Sequence, residues 1–459
     1  MESVVLIAGA LSIWYMVNRS VSQAFLQVYL PVLLLLPGYY HMPIDGLPDP
    51  SFAQCAILPI GLMMCWKAIG QGGWKFSPLD FAVLAFLVWV LLANLHNNGY
   101  EEAQNSVLDL FTLGLFPYMG GKALIEQSGL RVSFVRRFVW LLFLVVVISL
   151  AEFFGKHNFF LHLPAHFFPG QNPGWITQIR WGMGRIAGPY GHSILAGIIL
   201  AAAIVLERWL VFGGYWEPFS RKIPRLPISK SAMITAGLAA GCIMTLARGP
   251  WIGAIVGLTI GSIGTARDKR RGLIRAAAVL ALAGLLVFYG SKLYLASFAT
   301  GDTDETFTSA LYRSELLDQY ANVAMEHSFW GWGHHFPVLG GMDSIDNGYL
   351  LLALEYGVFG LALFVLMVVL AIARTFFDGY RPWSLERNER AFRFTILAVL
   401  LSVTVSITTV ELGEQVFPLL FLFLGWSDGV IFFAREETRR PAWDPVPSPG
   451  RFRFERVIA

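Results

Sequence analysis

RFVWLLFLVVVISLAEFF, residues 137–154, runs for eighteen residues with one arginine at its start and one glutamate near its end. A helix needs about 20 predominantly apolar residues to cross the ~30 Å hydrocarbon core of a bilayer. Thirteen stretches of the chain have this character: 3–17, 22–40, 52–69, 79–96, 106–125, 137–154, 193–212, 231–247, 250–266, 274–294, 349–372, 393–410 and 415–434. The first is short, so the expectation is twelve or thirteen spans. No basic region precedes it and no small-residue cleavage site follows it, so it reads as a retained helix and not a signal peptide.

Composition agrees. Of 459 residues, 56% are hydrophobic and 14% charged, and mean hydropathy is +0.58. A soluble globular chain has roughly a quarter of its residues charged. One large soluble core is excluded, and so is a disordered or fibrous chain. The expected fold is all-α and polytopic, with N-terminal spans over 1–154, a long outer loop over 155–192 and central spans over 193–294. A larger outer loop follows over 295–348, then C-terminal spans over 349–434. A basic, Pro-rich tail over 435–459 reads as disordered. Cys55, Cys65 and Cys242 all fall inside apolar stretches, which suits core filling and not a disulfide framework. Gly237, Gly241, Gly253, Gly257 and Gly261 recur at spacings of four on consecutive spans, a pattern that lets helices approach closely.

The net charge of +3 conceals an asymmetry. With the N-terminus outside and loops assigned alternately, 28 of the 34 Lys and Arg residues fall on the cytoplasmic side. The positive-inside rule then fixes the orientation, with the C-terminus cytoplasmic. The six outer cations are Lys156, Arg180, Arg185, Arg248, Lys292 and Arg313.

Orientation does not explain these six, and three stand in distinctive settings. Arg185 lies in Gly184-Arg-Ile-Ala-Gly-Pro-Tyr-Gly-His192, a tight loop at the mouth of a span. It reads either as an interfacial arginine snorkelling to headgroups or as a ligand contact, with His192 beside it. Arg248 sits in Leu246-Ala-Arg-Gly-Pro250, at the tip of a hairpin of two spans. A guanidinium there costs several kcal/mol unless an anion or polar cavity receives it, and a simple turn would use Asn, Ser or Gly. Arg313 opens an amphipathic outer helix reaching about Glu326, where Glu315 and Asp318 make an ion pair as good a reading as ligand contact. A guanidinium offers two parallel donors to a diphosphate. Two of them at an outer membrane surface suggest a lipid-linked diphosphate, and not nucleic acid, which requires a continuous basic patch.

Asp346, at the outer entrance of the eleventh span, is either a general base for an incoming hydroxyl or a helix N-cap, and Asn347 could cap equally well. Local sequence favours the cap. Adjacent His334 and His335 lack a third ligand, which argues against a metal site. Trp330 and Trp332 suit an interfacial aromatic belt.

In this order the blocks resemble the O-antigen ligase and O-antigen polymerase superfamily, bacterial membrane glycosyltransferases of the GT-C type. The residues that carry the resemblance are Arg185-Ile-Ala-Gly188 with His192, Arg248-Gly249, Arg313 leading to Gly331-Trp332-Gly333, and Asp346-Asn347 followed by Gly357 and Gly360. The resemblance spans roughly residues 180–372. It implies an inverting, metal-independent transfer with no cofactor, from an undecaprenyl-diphosphate-linked glycan to a glycan or lipid-glycan acceptor at the periplasmic face of the inner membrane. Arg185 and Arg248 would hold the diphosphate, and Trp330 and Trp332 would stack on sugar rings as readily as form the aromatic belt. Where the ligases carry a histidine before the Asn of the last block, this chain has Asp346, which inclines the expectation toward polymerisation over ligation and leaves Asp346, His192 and Glu315 as candidate bases. Partners implied are inner-membrane lipids and other envelope-polysaccharide assembly proteins.

Two other classes share the span count. A secondary transporter would show matched halves and midplane ionisable residues; Asp109 is the main intramembrane acid and no halves match. A scaffold for glycan export would tolerate loss of Arg185 and Arg248.

Overall fold

A computed structural model describes residues 2–44, 46–70, 74–168, 170–171, 176–216, 229–298, 305–339, 345–380, 386–413 and 415–439. The helices in chain order are α1 (Leu6–Asn18), α2 (Val21–Ala24), α3 (Leu30–Leu35), α4 (Phe52–Gly70), α5 (Pro78–Asp109), α6 (Phe116–Ala123), α7 (Arg131–Gly155) and α8 (Phe159–Ala165). They continue with α9 (Ser193–Phe212), α10 (Lys230–Met244), α11 (Arg248–Thr265), α12 (Lys269–Phe298), α13 (Glu305–Glu326), α14 (Gly348–Tyr380), α15 (Arg387–Ser406) and α16 (Val416–Arg439). Wider π turns join α2 to α3 and α5 to α6. The one sheet among the described residues is a hairpin of β1 (Ile179–Arg180) and β2 (Met183–Gly184).

The chain is an all-α polytopic membrane protein. Helix occupies the body of each of the thirteen apolar stretches, and six helices are long and apolar enough to cross a membrane by length and composition: Pro78–Tyr100, Arg131–Gly155, Ser193–Phe212, Gly348–Tyr380, Arg387–Thr409 and Val416–Phe433. Others are shorter than their stretches, for local reasons. The 22–40 stretch loses its helix at Leu36, whose backbone is extended at φ −103° and ψ 139° because the following residue is Pro37. Helix α16 instead overruns its stretch to Arg439, and the Pro-rich remainder of the tail lies outside the described residues.

Small residues set the tightest contacts. A Cβ on Gly253 would stand 2.2 Å from Ser406 Oγ, and one on Gly257 3.2 Å from the Ser402 Cβ. Helix α11 therefore lies directly on α15. Gly237 and Gly241 admit Phe143 and Val146 of α7 in the same way. The spacing-of-four glycines are packing residues, as their pattern suggests.

Buried ion pairs gather helix ends at the Lys/Arg-rich end. Lys122, closing α6, lies 2.5 Å from Asp80 of α5 and 2.9 Å from Asp428 of α16, which also takes Arg374 of α14 at 2.6 Å. The opposite ends of α5, α7, α9, α10, α11, α14, α15 and α16 carry the candidate site.

Helix α14 breaks at Gly357, whose φ of +74° stops the hydrogen-bond ladder. Three carbonyls lose their helical partners there and find others. Leu354 O accepts from Trp332 N at 2.7 Å, Glu355 O from Gly333 N at 3.1 Å, and Tyr356 O from Trp89 Nε1 at 2.9 Å. Gly331 lies so close that a Cβ would fall 2.4 Å from Glu355 O. The Gly331-Trp332-Gly333 block is thus the splint of a kinked helix.

Candidate functional site

Glu152, one turn before the C-terminal end of α7, organises the loop that carries Arg185. Its buried carboxylate accepts from the backbone amides of Ala187 and Gly188 at 3.1 and 3.0 Å, from Asn158 Nδ2 at 2.8 Å and from Thr177 Oγ1 at 3.3 Å. Four donors compensate a charge that burial would otherwise penalise. His192 ends the loop as the N-cap of α9, its Nδ1 accepting from Ile194 N at 3.2 Å.

This loop grips the end of α10. The last carbonyls of a helix have no partner within it. Here Met244 O accepts from Ile186 N at 3.2 Å, Thr245 O from Arg185 Nε at 3.1 Å and Leu246 O from Arg180 Nη1 at 2.8 Å. Arg185 is 8% exposed and also donates to Gln178 Oε1, while Gln178 Nε2 lies 3.3 Å from His192 Nε2. Leu246 takes a left-handed φ of +50°, a conformation usually left to glycine after a helix end. Packing on Phe153 and Ile186 holds it there. Two residues later Arg248 begins α11 with its side chain exposed. Arg185 and Arg248 are therefore brought to one turn, but differently: Arg185 is built into the turn and Arg248 projects from it.

The connector between α15 and α16 joins this turn to Asp346 and Asn347. A Cβ on Gly249 would stand 2.1 Å from Thr409 Oγ1, and one on Gly348 2.9 Å from Val410 O. Gly413 meets Leu195 of α9, and Gln415 Nε2 donates to Pro189 O at 3.1 Å. The segment 407–415 thus touches the loop bearing Arg185, the residue after Arg248 and the residue after Asn347. The cap of α14 belongs to Asn347, whose Oδ1 accepts from Tyr349 N and Leu350 N at 3.1 and 3.2 Å. Of the two residues that could cap by sequence, Asn347 does so and Asp346 does not, because the helix starts at Gly348. Asp346 is half-buried and acts electrostatically on Glu411 of the connector. Glu411 reaches solvent, yet desolvation by surrounding protein, then the charges of Glu355 and Asp346, push its carboxyl pKa up.

The remaining residues divide. Trp332 faces inward, its Nε1 donating to Val323 O at 2.9 Å and its ring 4.0 Å from that of His327. Trp330 stacks on Trp89 at 4.7 Å. Both tryptophans serve the α14 splint. Glu315 is exposed on α13, and His335 is exposed beyond the splint. Arg313 falls on α13, but its side chain lies outside the described residues, as does that of Lys292. No group of three His, Cys, Asp or Glu side chains among the described residues is spaced to hold a metal ion.

Sequence reasoning missed Glu152, Gln178 and the connector residues Thr409, Glu411 and Gln415, and counted Arg180 among the outer cations without giving it a role. Glu152 was findable, being a carboxylate inside a strongly apolar stretch, where such a group needs compensation. The connector carries no motif.

Residues 233–365 match the family model described as O-antigen ligase. The match begins within α10, takes in Arg248, α13, the splint and Asp346-Asn347, and ends past the kink of α14. No curated protein matches the chain.

Proposed function

With an O-antigen ligase domain at residues 233–365, and hence membership of the O-antigen ligase and polymerase superfamily, we propose that the chain is an inverting glycosyltransferase needing no metal. It passes a glycan from an undecaprenyl-diphosphate-linked donor to a sugar hydroxyl at the periplasmic face of the inner membrane. The observation that supports this most is the shared turn at residues 244–248, gripped by Arg180 and Arg185 and presenting Arg248 outward. Preorganised guanidiniums beside a partly desolvated turn suit the charge that develops on a departing diphosphate. Arg248 contacts the diphosphate, and Arg185 supplies charge to it from within the turn. Asp346, beyond the connector, accepts the proton of the attacking hydroxyl as the glycosidic bond forms and the bond to the diphosphate oxygen breaks.

Polymerisation is the favoured direction, because a carboxylate stands where the ligases carry a histidine. Lipid-linked glycans from cells lacking the gene test this. Accumulated single repeat units identify a polymerase, and long unattached chains a ligase. An unchanged profile, or full complementation by Arg248→Ala, refutes the proposal.

A further inference from the structure

Helix α7 carries a second feature at its other end, remote from the turn at 244–248. Ser133, Arg136, Arg137, Trp140, Leu141, Phe143, Leu144 and Val147 line an open groove of about 660 Å³. Ser133, Arg137, Trp140, Leu144 and Val147 recur at spacings of three and four, so they share one face of the helix. That face is polar over its first turns and apolar below. Trp140 is 36% exposed, Leu144 44% and Val147 47%, so the apolar floor faces the bilayer. The flanks add charge and shape. On one side Lys230, starting α10, sits 5.2 Å from the centre of the Trp140 ring. On the other, Arg137 Nη1 donates to Leu26 O at 3.1 Å, tying its guanidinium to the helix beginning at α2.

The dimensions select an occupant. From Arg137 to Val147 is ten residues, or about 15 Å of helix, half the ~30 Å hydrocarbon core. A groove with three cations at its mouth and one leaflet's depth of apolar floor matches a phosphate headgroup with an acyl chain. A soluble anion would leave the floor unused, and a zwitterionic lipid would bring a further cation to a mouth that already carries three. We infer that this face of α7 binds an anionic glycerophospholipid of the leaflet at the Lys/Arg-rich end. The phosphate lies among Arg136, Arg137 and Lys230, and a chain lies over Trp140, Leu144 and Val147. The bound lipid fills the crease beside α10, the helix whose far end is gripped by Arg180 and Arg185.

The full-length protein, purified and delipidated in detergent, is titrated with phosphatidylglycerol, phosphatidylcholine or inorganic phosphate while its melting temperature is read. Phosphatidylglycerol is expected to raise it by several degrees, and the other two by little. Lys230→Gln and Ser133→Glu are expected to remove most of that rise. An acid in the first turn suits the helix dipole, so Ser133→Glu keeps the fold while repelling phosphate. Leu144→Trp, which fills the floor, is expected to do the same. Each shift is taken against the variant's own lipid-free value. An equal rise with phosphatidylcholine, an equal rise with phosphate alone, or a full phosphatidylglycerol rise in Ser133→Glu or Leu144→Trp overturns the inference. None of these readouts depends on glycan transfer.

Discussion

Arg180 shows how far a residue's place in the fold can differ from its prominence in the sequence. It has no motif around it, yet its Nη1 holds the carbonyl of Leu246, the one left-handed residue of the turn that presents Arg248. A hydrogen bond from a charged donor contributes about 1.5–3 kcal/mol, so releasing that carbonyl should let the turn relax in an appreciable fraction of molecules. Arg180→Ala is expected to lower glycan transfer by the purified protein about tenfold or more, with Arg180→Lys recovering part of it; unchanged transfer would show that the turn holds itself. Glu411 gives a second test. Its folded pKa is raised, so folding favours the protonated form, and stability falls as pH rises from the ordinary carboxylate value through the raised one. Glu411→Gln should therefore melt higher than the parent at neutral pH and match it in acid. A parallel pair of melting curves across pH would contradict this. At this scale the sequence was only partly readable: Arg185 and Arg248 stood out for their settings, Arg180 was one outer cation among six until its bond to the Leu246 carbonyl gave it a role, and Gln178 became visible only through its contacts with Arg185 and His192.

Among the elements, the α11–α15 pair is the one whose geometry reaches the site. Gly249, Gly253 and Gly257 let α11 lie against Thr409, Ser406 and Ser402, and Thr409 belongs to the connector that also touches Gly348. Gly253→Leu would drive a side chain into Ser406 Oγ and the Ser402 carbonyl, an overpacking that costs about 1–3 kcal/mol or more. The expected outcome is a lower melting temperature together with reduced transfer, because Arg248 moves with α11. The helices, the hairpin tip and helix α13 were legible, since hydrophobic runs and their breaks are local properties. The connector 407–415 was not. It reads as the frayed end of one apolar run and the start of another, and its importance comes from two glycines elsewhere, Gly249 and Gly348, that pack on it. The splint of α14 was half legible: the glycines of Gly331-Trp332-Gly333 mark a special backbone, but nothing local says that the amides of Trp332 and Gly333 answer the carbonyls of Leu354 and Glu355.

Across the whole molecule the two ends are built on different chemistry. The Lys/Arg-rich end is locked by buried ion pairs, with Lys122 between Asp80 and Asp428 and Tyr118 donating to Asp80 at 2.7 Å. Removing one member of such a set leaves uncompensated buried charge and typically costs about 3–5 kcal/mol. Lys122→Met is expected to lower the melting temperature sharply, and Lys122→Met combined with Asp80→Asn and Asp428→Asn to recover much of the loss. If the single substitution is neutral, the network is not what holds these helices. The opposite end relies instead on backbone carbonyls met by donors from distant segments.

The gripped end of α10 has an electrical consequence. In a tight helical hairpin the negative pole of the first helix and the positive pole of the second, each worth about half a charge, face one another at the tip and nearly cancel. Here two guanidiniums, those of Arg180 and Arg185, sit on the negative pole. The positive pole of α11 is left unopposed, so the tip already attracts an anion before the charge of Arg248 is added.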